Sequence, residues 1–250
     1  MPSQSETGHA VNLANAQGLY DFCQVLGAAY KPAQPRFKLP AFAQQIIESK
    51  DAQERAEAAR RAVDDAINPR ADLFDGLGPF VTRAMRSFRT CGATERTVAD
   101  AEAVARKLQG SRATTPEAPA ADGTGARTRS VSQKSFDMQL ANFNRFIGHL
   151  SGAREYAPGE EDLTVDALKA RHEAMDTANK ACAAPAAVLT EALVRRDLLF
   201  YAPKTGLVDT CLGIKEYVLS MNKAKNPGIG GVARFKFRNL RQRLQKAGLA

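Results

Sequence analysis

One pattern of apolar residues and chain breaks occurs twice in this sequence, and that repetition limits what the chain can fold into. At a shift of 124, Leu19, Phe22, Cys23 and Leu26 meet Phe143, Phe146, Ile147 and Leu150. At a shift of 126, Tyr30, Pro32, Phe37, Leu39 and Phe42 meet Tyr156, Pro158, Leu163, Val165 and Leu168. At a shift of 130, Gly76, Leu77, Val81, Ala84 and Phe88 meet Gly206, Leu207, Cys211, Ile214 and Val218. The offset grows by two in one loop, then by about one helical turn in or just after the segment that follows. The matched positions are apolar or break the chain, and no catalytic residue type is among them. What is duplicated is a scaffold.

In both copies the apolar residues recur at helical spacing. The first copy predicts a helix through Leu13, Leu19, Phe22, Cys23 and Leu26, broken at Tyr30-Lys31-Pro32 and Pro35. A long Ala-rich, charge-laced helix from about Pro40 to Ile67 follows, with Asp51→Arg55 and Glu57→Arg61 as i,i+4 pairs. Asn68-Pro69 is expected to end or kink it. A helix from Gly78 to Thr90 carries Phe80, Val81, Ala84, Met85 and Phe88 as its stripe, and another runs from Thr94 to Leu108.

The second copy predicts a helix through Phe136, Leu140, Phe143, Phe146, Ile147 and Leu150, broken at Tyr156-Ala157-Pro158. A long helix from Asp162 to about Phe200 follows, capped by Asp162 and kinked near Pro185. A third runs through Leu207, Val208, Cys211, Leu212, Ile214, Tyr217 and Val218. No fourth helix is legible. Gly228-Ile229-Gly230-Gly231 reads as a flexible hinge into a basic tail.

The fold class is therefore all-α: two tandem repeats of three to four helices with long Ala-rich helices, in an elongated helical bundle. The expected organisation is residues 1–110 as the first repeat, 111–133 as a Ser/Pro/Gly-rich linker, 134–222 as the second repeat and 223–250 as a basic C-terminal extension.

The net charge is +8, and it is not spread over the chain. Residues 221–250 hold Lys223, Lys225, Arg234, Lys236, Arg238, Arg241, Arg243 and Lys246 and no acidic residue, so they account for the whole excess. These eight are the candidate polyanion-binding residues, because a localised basic run suits phosphate backbones or anionic surfaces. Phe235 to Arg238 alternates apolar and basic residues as a short strand does, and Leu240 and Leu244 lie at helical spacing among cations.

A search for reaction chemistry finds little. His9, His149 and His172 do not pair with one another at ligand spacing. His172 and Asp176 share a helix face and read as a surface polar pair, and His149 as a core-edge residue. Glu160-Glu161-Asp162 and Asp64-Asp65 read as charges at a helix start and on a helix face. No Gly-x-Ser-x-Gly or Walker motif occurs. Cys23, Cys91, Cys182 and Cys211 are isolated and read as small buried residues in a reducing compartment. No cofactor, metal or catalytic residue is expected. The polar N-terminus and the lack of roughly 18 consecutive apolar residues lead to the expectation of a cytoplasmic chain with no transmembrane segment.

Asn12-Leu13-Ala14-Asn15, Leu26-Gly27-Ala28-Ala29-Tyr30-Lys31-Pro32 and Arg106-Lys107-Leu108-Gln109-Gly110 resemble a family of uncharacterised duplicated helical proteins of Bacteroidetes bacteria. So do Ser130 to Asp137, Thr205-Gly206-Leu207-Val208-Asp209 and Lys215-Glu216-Tyr217-Val218. The resemblance spans most of residues 11–238 and implies an all-helical fold in a bacterial cytoplasm. It supplies no functional residues. Members of that family stop soon after the segment matching Phe235-Lys236-Phe237, whereas this chain continues from Arg238 to Ala250.

The expectation is a non-enzymatic helical scaffold or interaction protein, with a protein partner or self-association. The alternative is nucleic-acid or other polyanion binding through residues 221–250, and a third is an enzyme with a site between the repeats.

Overall fold

The computed structural model describes residues 4–110 and 135–239. Among them every regular element is a helix and no strand occurs. The expected linker, residues 111–133, lies outside the described residues, as do Arg241, Arg243 and Lys246. The helices are α1 (Gln4–Leu26), α2 (Leu39–Phe74), α3 (Leu77–Arg89), α4 (Glu95–Gln109), α5 (Phe136–Ser151), α6 (Val165–Ala181), α7 (Ala183–Tyr201) and α8 (Leu207–Leu219).

The chain forms two compact units, one of Met1–Val63 with Pro185–Ala250 and the other of Asp64–Ala184. Each takes helices from both sides of the undescribed interval. The first unit holds α1, most of α2, α7 and α8. Its core joins Leu19 and Cys23 of α1, Phe42 of α2, Phe200 of α7, and Leu207 and Ile214 of α8. The second holds the end of α2 and α3 to α6, and its core joins Phe74, Val81, Phe88, Phe143, Phe146 and Leu168. A wholly buried Phe or Leu contributes roughly 1.5–3 kcal/mol by leaving water.

Each unit uses a tyrosine to tie the break before a long helix. In the first, the Tyr30 hydroxyl donates to the Phe37 carbonyl at 2.6 Å. Phe37 itself packs where a Cβ on Gly213 would collide with its ring. In the second, the Tyr156 hydroxyl donates to the Leu163 carbonyl at 2.8 Å. Burial is the main force that pushes both phenols up, Tyr156 to about 12. Both remain neutral donors at physiological pH.

Several boundaries differ from expectation for identifiable reasons. Helix α2 neither ends nor visibly breaks at Pro69, but runs on to Phe74. Pro69 is exposed, so the carbonyl four residues earlier, deprived of its N–H donor, is left to water. Asp162 is not the N-cap of the long helix. It lies in a short 3-10 turn, Glu161–Leu163, and the cap is Thr164, whose Oγ1 accepts from the Ala167 N–H at 3.3 Å. The Asp162 carboxylate instead takes both arms of Arg83, at 2.9 and 3.2 Å.

The interruption expected at Pro185 falls at Cys182, and Pro185 sits in the first turn of α7, where its missing N–H has no helical partner to lose. Of the α2 charge pairs, Asp51–Arg55 does not form and Lys50–Glu54 forms instead, at 3.8 Å. Glu57 accepts from Gln53 rather than pairing with Arg61. The Ala seam is real: Ala52, Ala56 and Ala59 are buried.

Candidate functional site

The segment expected to be a hinge and a free tail is docked. After α8 the chain turns through Asn222 to Asn226, with the Asn226 N–H donating to the Asn222 carbonyl at 3.1 Å. Pro227 then opens a 3-10 stretch, Pro227–Arg234. Ile229 and Val232 are wholly buried and Phe235 nearly so. Glycines at 228, 230 and 231 read as flexibility in the sequence. Here they let two apolar side chains descend together, with residues 229 and 232 on one side of a three-residue turn. No strand forms at Phe235 to Arg238. The backbone there is extended, but side chains rather than a ladder satisfy it.

Helix α1 supplies the seat. The Asn12 side chain donates to the Arg238 carbonyl at 2.8 Å and accepts from the Arg238 N–H at 2.9 Å. Asn15 donates to the Lys236 carbonyl at 2.7 Å. Lys215 of α8 donates its Nζ to the Phe235 carbonyl. Gly18 leaves the room the Phe235 ring occupies, since a Cβ there would lie 2.6 Å from it. Phe22 meets the same ring edge-on at 6.2 Å.

The basic candidates divide accordingly. Arg234, Lys236 and Arg238 are exposed on this segment, and Lys223 and Lys225 are exposed in the turn before it. None makes an ion pair among the described residues. The Arg234 guanidinium lies 4.8 Å from the Phe235 ring centre. Arg241, Arg243 and Lys246 lie outside the described residues.

A second polar group sits deeper in the same unit. His9, Arg196 and Asp197 are all buried. The His9 Nε2 lies 3.2 Å from the Asp197 Oδ1, and Arg196 donates to the same oxygen through Nε at 3.0 Å and a terminal nitrogen at 2.8 Å. Burial pushes the Asp197 carboxyl up. The hydrogen bonds from His9 and Arg196, with their charges, outweigh it and hold the group below the usual carboxylate range. His9 also packs edge-on against Phe200 and Tyr201. The sequence shows His9 without a histidine at ligand spacing and gives no sign of its pairing with Asp197, 188 positions away. Sequence reading passed over Asn12, Asn15 and Gly18. Their three-residue spacing along one helix was the available signal.

The other candidates stay apart. Asp176 pairs with Lys180 at 2.6 Å, while His172 faces the Phe143 ring. His149 is half-buried. The four cysteines are free thiols. Burial pushes Cys23 up to about 11 and Cys211 well above the usual thiol value, so neither is a thiolate nucleophile at neutral pH. No cluster of three metal-ligating side chains occurs among the described residues. No described helix is long and apolar enough to cross a membrane. A groove of about 430 Å³ between α2 and α7 is lined by alanines and Val188, with Arg55, Glu191 and Arg195. Its mixed charges express no preference for a ligand of either sign.

No protein-family model, curated protein or solved structure matches this chain.

Proposed function

We propose that this chain is a non-enzymatic, duplicated helical scaffold of the cytoplasm that acts by binding other macromolecules. The observation that carries the reading is where several of its buried and half-buried polar side chains are used. Asn12, Asn15, Tyr30, Tyr156 and Lys215 all bond the chain's own backbone. Asp197 is held by Arg196 and His9. Catalysis needs such groups aimed at a water-poor cleft with contrasting pKa values; here they fix one segment to another.

The duplication is supported by the two tyrosine ties, Tyr30 to Phe37 and Tyr156 to Leu163, which coincide at a shift of 126. On this reading each unit combines the opening helices of one repeat with the closing helices of the other. Helix α4 packs on α3 and α5, and the docked segment packs on α8 and α1 in the corresponding way. The likeness to uncharacterised helical proteins of Bacteroidetes belongs to the same proposal. The test is affinity capture of the full-length chain at native abundance. A stoichiometric protein partner is the expected result, and turnover of a metabolite by the purified chain without any partner rejects it.

A second reading, polyanion binding, is favoured by one observation: Arg234, Lys236 and Arg238, exposed and without ion pairs among the described residues, lie on a segment whose backbone is already fixed. Fixed charges lose less entropy on meeting phosphates than a free tail does.

A further inference from the structure

The seat of residues 227–238 is built like a peptide-recognition cleft. Asn12, Asn15 and Lys215 bond backbone groups of the segment and none of its side chains. Backbone bonds of this kind supply affinity for an extended chain, while pockets for particular side chains supply specificity. The pockets are present: Phe235 fills the space above Gly18 beside Phe22, and Val232 is wholly buried three residues earlier. The intervening Arg234, Lys236 and Arg238 stay in solvent. Residues 220–226, which connect the segment to α8, include no buried residue. The only part of that connection packed against the core is the half-buried Met221, so the segment can leave its seat without pulling a wholly buried residue out of the core.

We infer that the cleft on α1 and α8 is a binding site for a peptide of the form apolar-x-x-Phe-x-aromatic, a 3-10 turn that runs on into a non-helical end. It is filled here by the chain's own residues 229–238, and the same segment of a second copy can take its place. An identical chain offers every contact in trans that this one makes in cis, which is the basis of segment exchange between copies. The covalent connection gives the cis segment an effective concentration in the millimolar range, so the trans segment gains the site when cis docking is weakened. This deepens the interaction-protein reading and fails separately from it: a cleft that rejects the peptide leaves the partner-capture result untouched.

The experiment uses full-length chains and a fluorescein-labelled synthetic peptide of residues 227–239. The Phe235→Ala chain keeps Asn12, Asn15, Gly18 and Phe22 but loses the seated ring. Fluorescence polarisation is expected to show the peptide binding this variant at least ten-fold more tightly than wild type. Adding Asn12→Ala should reverse that gain ten-fold or more. No binding to a folded Phe235→Ala chain, or binding indifferent to Asn12→Ala, overturns the inference. Should Phe235→Ala fail to melt cooperatively, hydrogen exchange on the wild-type chain decides. An Arg238 amide at least ten-fold less protected than amides in the middle of α8 shows independent release of the segment. Equal protection shows that the segment opens only with the whole unit, and overturns it.

Discussion

Arg196 and Asp197 are neighbours in sequence and are buried together, which makes their energetics unforgiving. Asp197→Asn would leave the Arg196 guanidinium in the core without its counter-charge, a change that costs about 3–5 kcal/mol. A lowered midpoint in urea unfolding is the expected readout. The pH dependence follows from the lowered carboxyl of Asp197. A group whose folded value lies below its unfolded value, about 3.9, gives stability above that value. That stability is lost as pH falls through the folded one. Wild type should therefore lose stability below about pH 4, and Asp197→Asn should lose less over the same window. A steeper acid loss in the variant would refute this assignment. Tyr30→Phe and Tyr156→Phe each leave a buried carbonyl unpaired, at Phe37 and Leu163. Each should cost about 1–3 kcal/mol. A measured cost near zero for both would remove the tyrosine ties as determinants of the fold.

At the scale of elements, what could be read from the sequence was periodicity, and what could not was decided by neighbours. The stripe Phe80, Val81, Ala84, Met85 and Phe88 is buried along α3 as its spacing required, and α5 and α8 follow the same rule. Capping was misread because Asp162 and Thr164 are both good cap residues. Their roles were settled by Arg83, which engages Asp162 from 79 positions away. Thr164→Ala should accordingly cost about 1 kcal/mol as a lost cap. Asp162→Ala, which removes an exposed ion pair, should cost less than about 1 kcal/mol. The reverse order in thermal melts would reinstate Asp162 as the cap. Pro69 shows the same limit. An exposed proline inside α2 carries a helix penalty of up to about 3 kcal/mol, so Pro69→Ala should raise stability. The docked segment was illegible for a further reason. Glycines at 228, 230 and 231 signal a hinge locally, and only packing on α8 beside Phe22 turns that stretch into a partly buried one.

For the whole molecule, the charge arithmetic and the fold bear on one question: where a polyanion could bind. The excess of +8 resides in residues 221–250, and the rest of the chain is neutral. Three of those cations, Arg234, Lys236 and Arg238, are exposed on the docked segment, and Lys223 and Lys225 are exposed in the turn before it. If they contact phosphates, the slope of log K against log salt for duplex DNA should fall by about 0.9 for each contact removed. Replacing Lys223, Lys225, Arg234, Lys236 and Arg238 together by Gln should thus flatten the slope by up to about 4.5. Arg241, Arg243 and Lys246 would sustain whatever slope remains. Because the five side chains are exposed and make no ion pair among the described residues, the substituted chain should keep its melting temperature, and a changed slope then reports contact rather than unfolding. A slope that stays the same in a folded variant would show that the five exposed cations make no phosphate contact. Any polyanion contact would then rest on Arg241, Arg243 and Lys246.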